Sequence, residues 1–141
     1  MGLYNFQLRF APFIRNGTKR HTIRAKRAYP DKPGNILHLY VGLRHKSATL
    51  LGRSPCIRVE DVVISAAHQV FVDGVELSAS EKNALAFCDG FRSRGVEHAF
   101  EEMMEFWDGR LPFTGDIIHW SKELRRTLNA KSCEKTCATC E

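Results

Sequence analysis

Gly17-Thr-Lys-Arg-His-Thr-Ile-Arg-Ala-Lys-Arg27 is the stretch on which the reading of this chain turns. It gathers Lys19, Arg20, Arg24, Lys26 and Arg27 with His21, Thr18 and Thr22, and contains no acid. An apolar segment with Phe10, Phe13 and Ile14 precedes it, and Gly17 suits a sharp backbone turn. A run this basic can hold phosphate. It also sets a lysine three residues before a threonine. A threonine hydroxyl is a poor nucleophile until a base takes its proton, and a lysine under pressure from Arg20, Arg24 and Lys26 can be that base. If the chain is extended from Arg20, then Arg20, Thr22 and Arg24 share one face while Lys19, His21 and Ile23 share the other. Lys19 and Thr22 then meet only if the backbone turns between them. On spacing alone, a basic loop that binds phosphate or is simply exposed is the preferred reading.

Upstream, Tyr4, Phe6, Leu8 and Phe10 alternate with Leu3, Asn5, Gln7 and Arg9, which reads as a half-buried strand. Pro12 suits the first turn of a short helix over 11–16, ended by Gly17. Downstream, 29–34 is a turn and Ile36-Leu-His-Leu-Tyr-Val41 a strand buried on both faces or nearly so, with His38 read as a core histidine. Residues 42–52 form a polar excursion, either a solvated loop or, with Arg44, His45, Lys46 and Arg53, an extension of the basic surface. Residues 56–71 read as one long bent strand or two paired short ones, and 70–77 as a hairpin turning at Asp73-Gly74. The period then changes. Ser78 or Ser80 caps a helix that Asp89-Gly90 ends, with Glu81 in its first turn. A second helix over 97–107 puts Ala99, Phe100, Met103, Met104, Phe106 and Trp107 on a core stripe opposite Glu101, Glu102 and Glu105. Residues 112–116 read as a turn and 117–120 as a closing strand.

The 141 residues suit one domain, with 43% hydrophobic and 26% charged residues. A net charge of +5 and a pI near 9.1 favour a polyanionic partner. No apolar run approaches the ~20 residues of a membrane span, and the N-terminus lacks a signal-peptide pattern. The expectation is a cytoplasmic protein with no membrane partner. Cys56, Cys88, Cys133, Cys137 and Cys140 are odd in number and crowded at the end, which fits reduced thiols better than a disulfide framework. Cys133, Cys137 and Cys140 are weak metal candidates, three thiolates without an evident fourth ligand. A polar tail over 122–141, helical at most over 122–128, is the simpler reading, and no cofactor is expected. Walker, dinucleotide, His-Glu-x-x-His and Gly-x-Ser-x-Gly motifs are absent.

Asp89 stands in Cys88-Asp-Gly-Phe91 at a helix end, where the helix dipole disfavours a negative charge. It is either a turn residue or a functional carboxylate. Opposite Lys19 it would complete a Lys-Thr-acid set.

The pattern Gly17-x-Lys19-x-x-Thr22-x-Arg24 resembles the signature of the ASCH family, a branch of the PUA-like superfamily. Pro33-Gly34 before Ile36-Leu37-His38-Leu39 resembles the family's Pro-Gly-Asp element, with Asn35 in place of the acid. Cys88-Asp-Gly-Phe91 resembles its acid-Gly segment, and Gly115-Asp-Ile-Ile-His-Trp120 its last barrel strand. Arg24-Ala-Lys-Arg27 and Leu37-His-Leu-Tyr40 look most like ASCH proteins of phages and prophages. The resemblance covers about residues 3–120. The order of elements, mostly strands with the two longer helices together late, already reads as an α+β domain on a small mixed or antiparallel sheet, and the resemblance implies a small mixed β-barrel flanked by helices over 1–121, with the tail outside. It implies RNA or nucleoside recognition in a cleft lined by the signature loop. One branch hydrolyses the acetyl amide of acetylcytidine with a lysine, a threonine and a glutamate. These match Lys19, Thr22 and, one methylene shorter, Asp89. Arg20, Arg24, Lys26, Arg27, Tyr40 and Arg44 are the candidate contacts to nucleic acid or substrate, and Tyr40 or Phe91 could stack on a base. The alternatives are a non-catalytic RNA-binding regulator and a ribonuclease.

Overall fold

The computed structural model describes residues 2–43, 46 and 48–121. Arg44, the tail and its three cysteines lie outside the described residues. The architecture is α+β, a curled, half-barrel mixed sheet with three short helices against it. The elements run β1 (Gly2–Phe6), a 3-10 turn (Leu8–Phe10), α1 (Ala11–Arg15), β2 (His21–Ala25), β3 (Ile36–Val41), β4 (Thr49–Ile64), β5 (Val70–Val72), β6 (Val75–Glu76), α2 (Ala79–Asp89), a 3-10 turn (Val96–His98), α3 (Ala99–Phe106) and β7 (Phe113–Trp120).

β4 is the long bent strand expected, and it organises the sheet. Its first half pairs antiparallel with β3, which pairs parallel with β1. Its second half pairs antiparallel with β7, which carries β2 on its other edge. The β5–β6 hairpin follows β4 and turns at Asp73 and Gly74, both at positive φ, as the Asp-Gly signal requires. β1 and β2 are thus the two ends of the curl, and no strand pairing joins them among the described residues.

Arginine side chains span that seam. Arg24 donates to the Asn5 carbonyl at 2.7 Å and Arg27 to the Leu3 carbonyl at 2.9 Å. Both guanidinium groups also lie over aromatic rings of β1, Arg27 4.0 Å from the Tyr4 centroid and Arg24 4.8 Å from that of Phe6. Tyr4 in turn donates to Asp31 at 2.6 Å. Two of the five cations of the basic stretch thus have structural partners across the seam. Lys26 contacts both Asp61 and Asp116 at 2.6 Å.

The core fills the curl with Leu37, Leu39, Leu51, Val62, Ile64, Ile117 and Trp120, closed by Ile14, Met103 and Phe91 from the helical side. α2 opens on a full capping box, Ser78 with Glu81, and closes on Gly90 at φ 117°.

Several local expectations are corrected. The first strand stops at Phe6, because the chain turns into a 3-10 helix that leaves Leu8 exposed. β3 is buried on one face only, through Leu37 and Leu39, and His38 is half-buried on the other. Residues 113–116 belong to β7, not to a turn, since they continue the ladder opposite β4. Glu102 is buried on α3 rather than solvated, where it accepts from Arg9 at 2.9 Å. Cys56 is a buried free thiol. No helix among the described residues is long and apolar enough to cross a membrane.

Candidate functional site

The open seam between β1 and β2 is also where a cleft forms. It has a volume of about 220 Å³, with Asn5, Phe6 and Gln7 on one side and Thr22, Ile23 and Arg24 on the other. Lys19 and Asp89 form its floor, and Phe10, Phe91, Phe106, Trp107 and Arg110 complete its wall. The structure brings Lys19, Thr22 and Asp89 to one cavity.

The local chain explains how. α1 ends at Arg15, Gly17 follows at φ 82°, and the Lys19 amide then donates to the Phe13 carbonyl. This folds the chain back before β2 begins. Lys19 enters from that turn and is not held to strand alternation, so it reaches the same cavity as Thr22. Its ammonium has three protons to donate. They meet the Asp89 carboxylate Oδ1 at 2.6 Å, the Asp89 carbonyl at 2.7 Å and the His21 carbonyl at 2.9 Å. The ammonium therefore caps the C-terminal end of α2 while it pairs with the acid. That contact offsets the unfavourable meeting of a carboxylate with the negative end of a helix. Thr22 is not among the partners of Lys19. Its Oγ1 accepts from Arg24 Nε at 2.9 Å.

Both members of the ion pair are almost wholly enclosed, Lys19 at 3% exposure and Asp89 at 7%. Burial pushes the Asp89 carboxyl above its ordinary range, against the Lys19 charge that pulls it down. Burial lowers Lys19, against the opposing pull of Asp89. Burial, followed by the Arg27 charge, lowers Arg24. The first two shifts run toward each other and reduce the cost of passing a proton from Nζ to Oδ1.

Two aromatic contacts tighten the back of the site. Lys19 Nζ lies 5.2 Å from the Phe10 centroid, and Phe10 meets Phe91 edge-on at 5.6 Å. Gly90 is held close here, since a Cβ on it would come 2.5 Å from the Phe10 ring.

The remaining candidates are placed as follows. Arg24 lines the cleft. Arg20 and Tyr40 are half-buried and lie outside its lining, Tyr40 on β3 opposite Asn5 and Leu50. Lys26 and Arg27 have the intramolecular partners described above. Phe91 lines the cleft, as expected of a stacking candidate, though at 1% exposure it is part of the wall. Sequence reasoning missed Asn5, Gln7 and Arg110, and read Phe106 and Trp107 as core alone. Their signal is tertiary, because no spacing links β1 or the end of α3 to the basic stretch.

A second cavity of about 410 Å³ lies between α2 and the β4–β7 face. His21, Arg58, Glu60 and His119 line its polar end. His119 Nε2 is 2.6 Å from Glu60 Oε1. Among the described residues no group of three or more His, Cys, Asp or Glu is arranged to hold a metal ion.

In comparison with known proteins, no family model, no curated protein and no solved structure matches the chain.

Proposed function

We propose that the cleft between β1 and β2 takes a single acylated nucleobase and hydrolyses its amide, in the manner of the ASCH family that the signature resembles. The observation that carries this reading is the buried Lys19–Asp89 pair at 2.6 Å, on the floor of a cavity that Thr22 also lines. The volume fits, since a cavity of about 150 Å³ accommodates benzene and this one has about 220 Å³. Aromatic side chains supply an apolar wall for a planar base, and the Gln7 amide, which lines the cleft, brings a donor and an acceptor for its edge, while Asn5 Oδ1 is already engaged by the Leu43 amide.

The chemistry follows from where the protons are. Lys19 passes a proton from Nζ to Asp89 Oδ1, which leaves a neutral amine and a neutral acid. The Thr22 hydroxyl attacks the acyl carbon and gives its proton to the Lys19 amine. Arg24, already donating to Oγ1, favours the developing negative charge on that oxygen. Asp89 gives its proton to the departing ring amine, so the C–N bond breaks to a neutral product. Water then attacks the Thr22 ester. Asp89 accepts a proton from the water, Thr22 recovers its own, and the acid leaves.

A second reading is binding without turnover. It is favoured by the saturation of the Lys19 ammonium, whose three donors are all engaged away from Thr22. The two separate in one experiment. The chain is incubated with acetylcytidine and the deacetylated base is quantified, with Lys19→Ala as control. Release that Lys19→Ala abolishes supports hydrolysis. Saturable binding without release supports the binding module, and neither binding nor release removes both.

A further inference from the structure

His21 follows Lys19 by two residues and is 2% exposed. Its neighbour Thr22 lines the cleft, whereas His21 lines the second cavity, on the opposite face of β2. His21 Nε2 is buried without a hydrogen-bond partner. It lies 3.3 Å from Asp89 Oδ1, the same oxygen that accepts from Lys19. An orphaned imidazole nitrogen in a core is costly, and an apolar side chain would fill this position without that cost. The nitrogen is within reach of one oxygen of a buried ion pair, and that gives it a use.

We propose that His21 is a positioning residue for the Lys19–Asp89 pair, holding Asp89 Oδ1 from behind through Nε2 and linking that oxygen to the second cavity for proton exchange. The inference rests on the proposed chemistry for its purpose, but its geometry stands without it.

The surroundings keep His21 neutral. Lys19 and Arg20 face it from its own segment, Asp89 from α2, Arg58 from β4 and His119 from β7, with ring centroids 5.5 Å apart and Glu60 behind His119. Burial and then the Lys19 charge push the imidazole well below its ordinary range, and His119, Arg20 and Arg58 add to this. A neutral imidazole carries one N–H. On Nε2, that proton faces Asp89 Oδ1 across 3.3 Å without an aligned hydrogen bond, and a small tilt of the ring would turn the approach into a donated bond that favours the carboxylate. When a proton arrives at Nδ1 from water in the second cavity and the Nε2 proton passes to Oδ1, His21 is again neutral and Asp89 has gained one proton. The reverse path returns it. Asp89 can thus be reset from behind while substrate fills the cleft.

The test is a carbon-13 titration of the Asp89 carboxyl in the full chain, free of ligand, for wild type, His21→Phe and His21→Gln. Loss of the Nε2 donor in the Phe variant is expected to raise the proton affinity of Asp89 about tenfold. The Gln side-chain amide restores a donor at similar reach and should return the affinity to within about twofold of wild type. Equal shifts in both variants, or none in either, overturn the proposal. Should the variants not fold, nitrogen-15 shifts of wild-type His21 decide. The proton on Nε2 at neutral pH supports it, and the proton on Nδ1 overturns it. An Asp89 shift without deacetylation leaves His21 standing and removes the hydrolase. Deacetylation without the shift does the opposite.

Discussion

Asp89→Asn removes a charge and almost no volume, and it isolates the ammonium of Lys19 inside the protein. The wild-type carboxylate accepts from Nζ at 2.6 Å with Lys19 at 3% exposure. Breaking a buried pair by removing one partner costs about 3–5 kcal/mol, because the other charge remains desolvated. The Asp89 and His21 carbonyls still accept from Lys19, so the lower end, about 3 kcal/mol, is expected near neutral pH. For a domain of this size, that is a fall of roughly 9 °C in Tm. The loss has a pH signature. Burial already lowers Lys19 in the wild type, and without Asp89 the opposing pull disappears. A folded-state pKa below the unfolded ~10.4 means that stability is fully present above ~10.4 and is lost as pH falls through the folded value. The variant should therefore regain stability as pH rises from neutral toward 10, more steeply than the wild type. Urea unfolding at several pH values between about 6 and 10 measures it. A loss below about 1 kcal/mol at neutral pH, or one independent of pH, would refute the claim that a charged Lys19 is held there by Asp89. The pair Lys19→Met, Asp89→Asn should be less destabilised than Asp89→Asn alone, since it leaves no buried charge.

Other outcomes follow from neighbouring geometry. Gly90→Ala places a Cβ 2.5 Å from the Phe10 ring at a φ of 117°, so stability should fall by more than about 1 kcal/mol. Lys19 should shift with it, as a changed Nζ signal in nitrogen-15 spectra would show. Arg24→Ala severs the seam at Asn5 and uncovers Thr22 Oγ1. It should cost about 1–2 kcal/mol, and amide exchange should rise in β1 more than in β3. Unchanged β1 exchange would mean that the seam does not depend on this arginine. Ser78→Ala removes one half of the α2 capping box, with an expected loss of about 1 kcal/mol in thermal unfolding.

Local signals in the sequence carried much of this fold. The Asp73-Gly74 turn, the Ser78 cap with Glu81, and the closure of α2 at Gly90 each depend on a few adjacent residues, and each is found in place. The misreadings share a cause, since period alone does not say what a residue meets. Leu8 keeps the alternation of β1 but lies on a 3-10 turn, and Glu102 sits at a polar helix position yet finds Arg9 across the fold. The basic stretch shows the same limit. Its charge suggested a surface for polyanions, yet Lys26 meets two aspartates, and Arg24 and Arg27 tie one edge of the curl to the other. A bond from a side chain to a distant carbonyl has no sequence signature. Spacing also argued against a meeting of Lys19 and Thr22 by strand alternation. The two do not touch, yet Lys19 lies in the turn before β2, outside the strand alternation, and so lines the same cavity as Thr22.

The most direct measurement on the central claim is mass spectrometry of the chain quenched during its first turnover of acetylcytidine. The account predicts an acetyl group on the peptide that contains Thr22, absent from Lys19→Ala, constant in amount while cytidine release is in steady state and discharged once the substrate is spent. Cytidine release with no acyl group on Thr22, and with Thr22→Val as active as wild type, would contradict it.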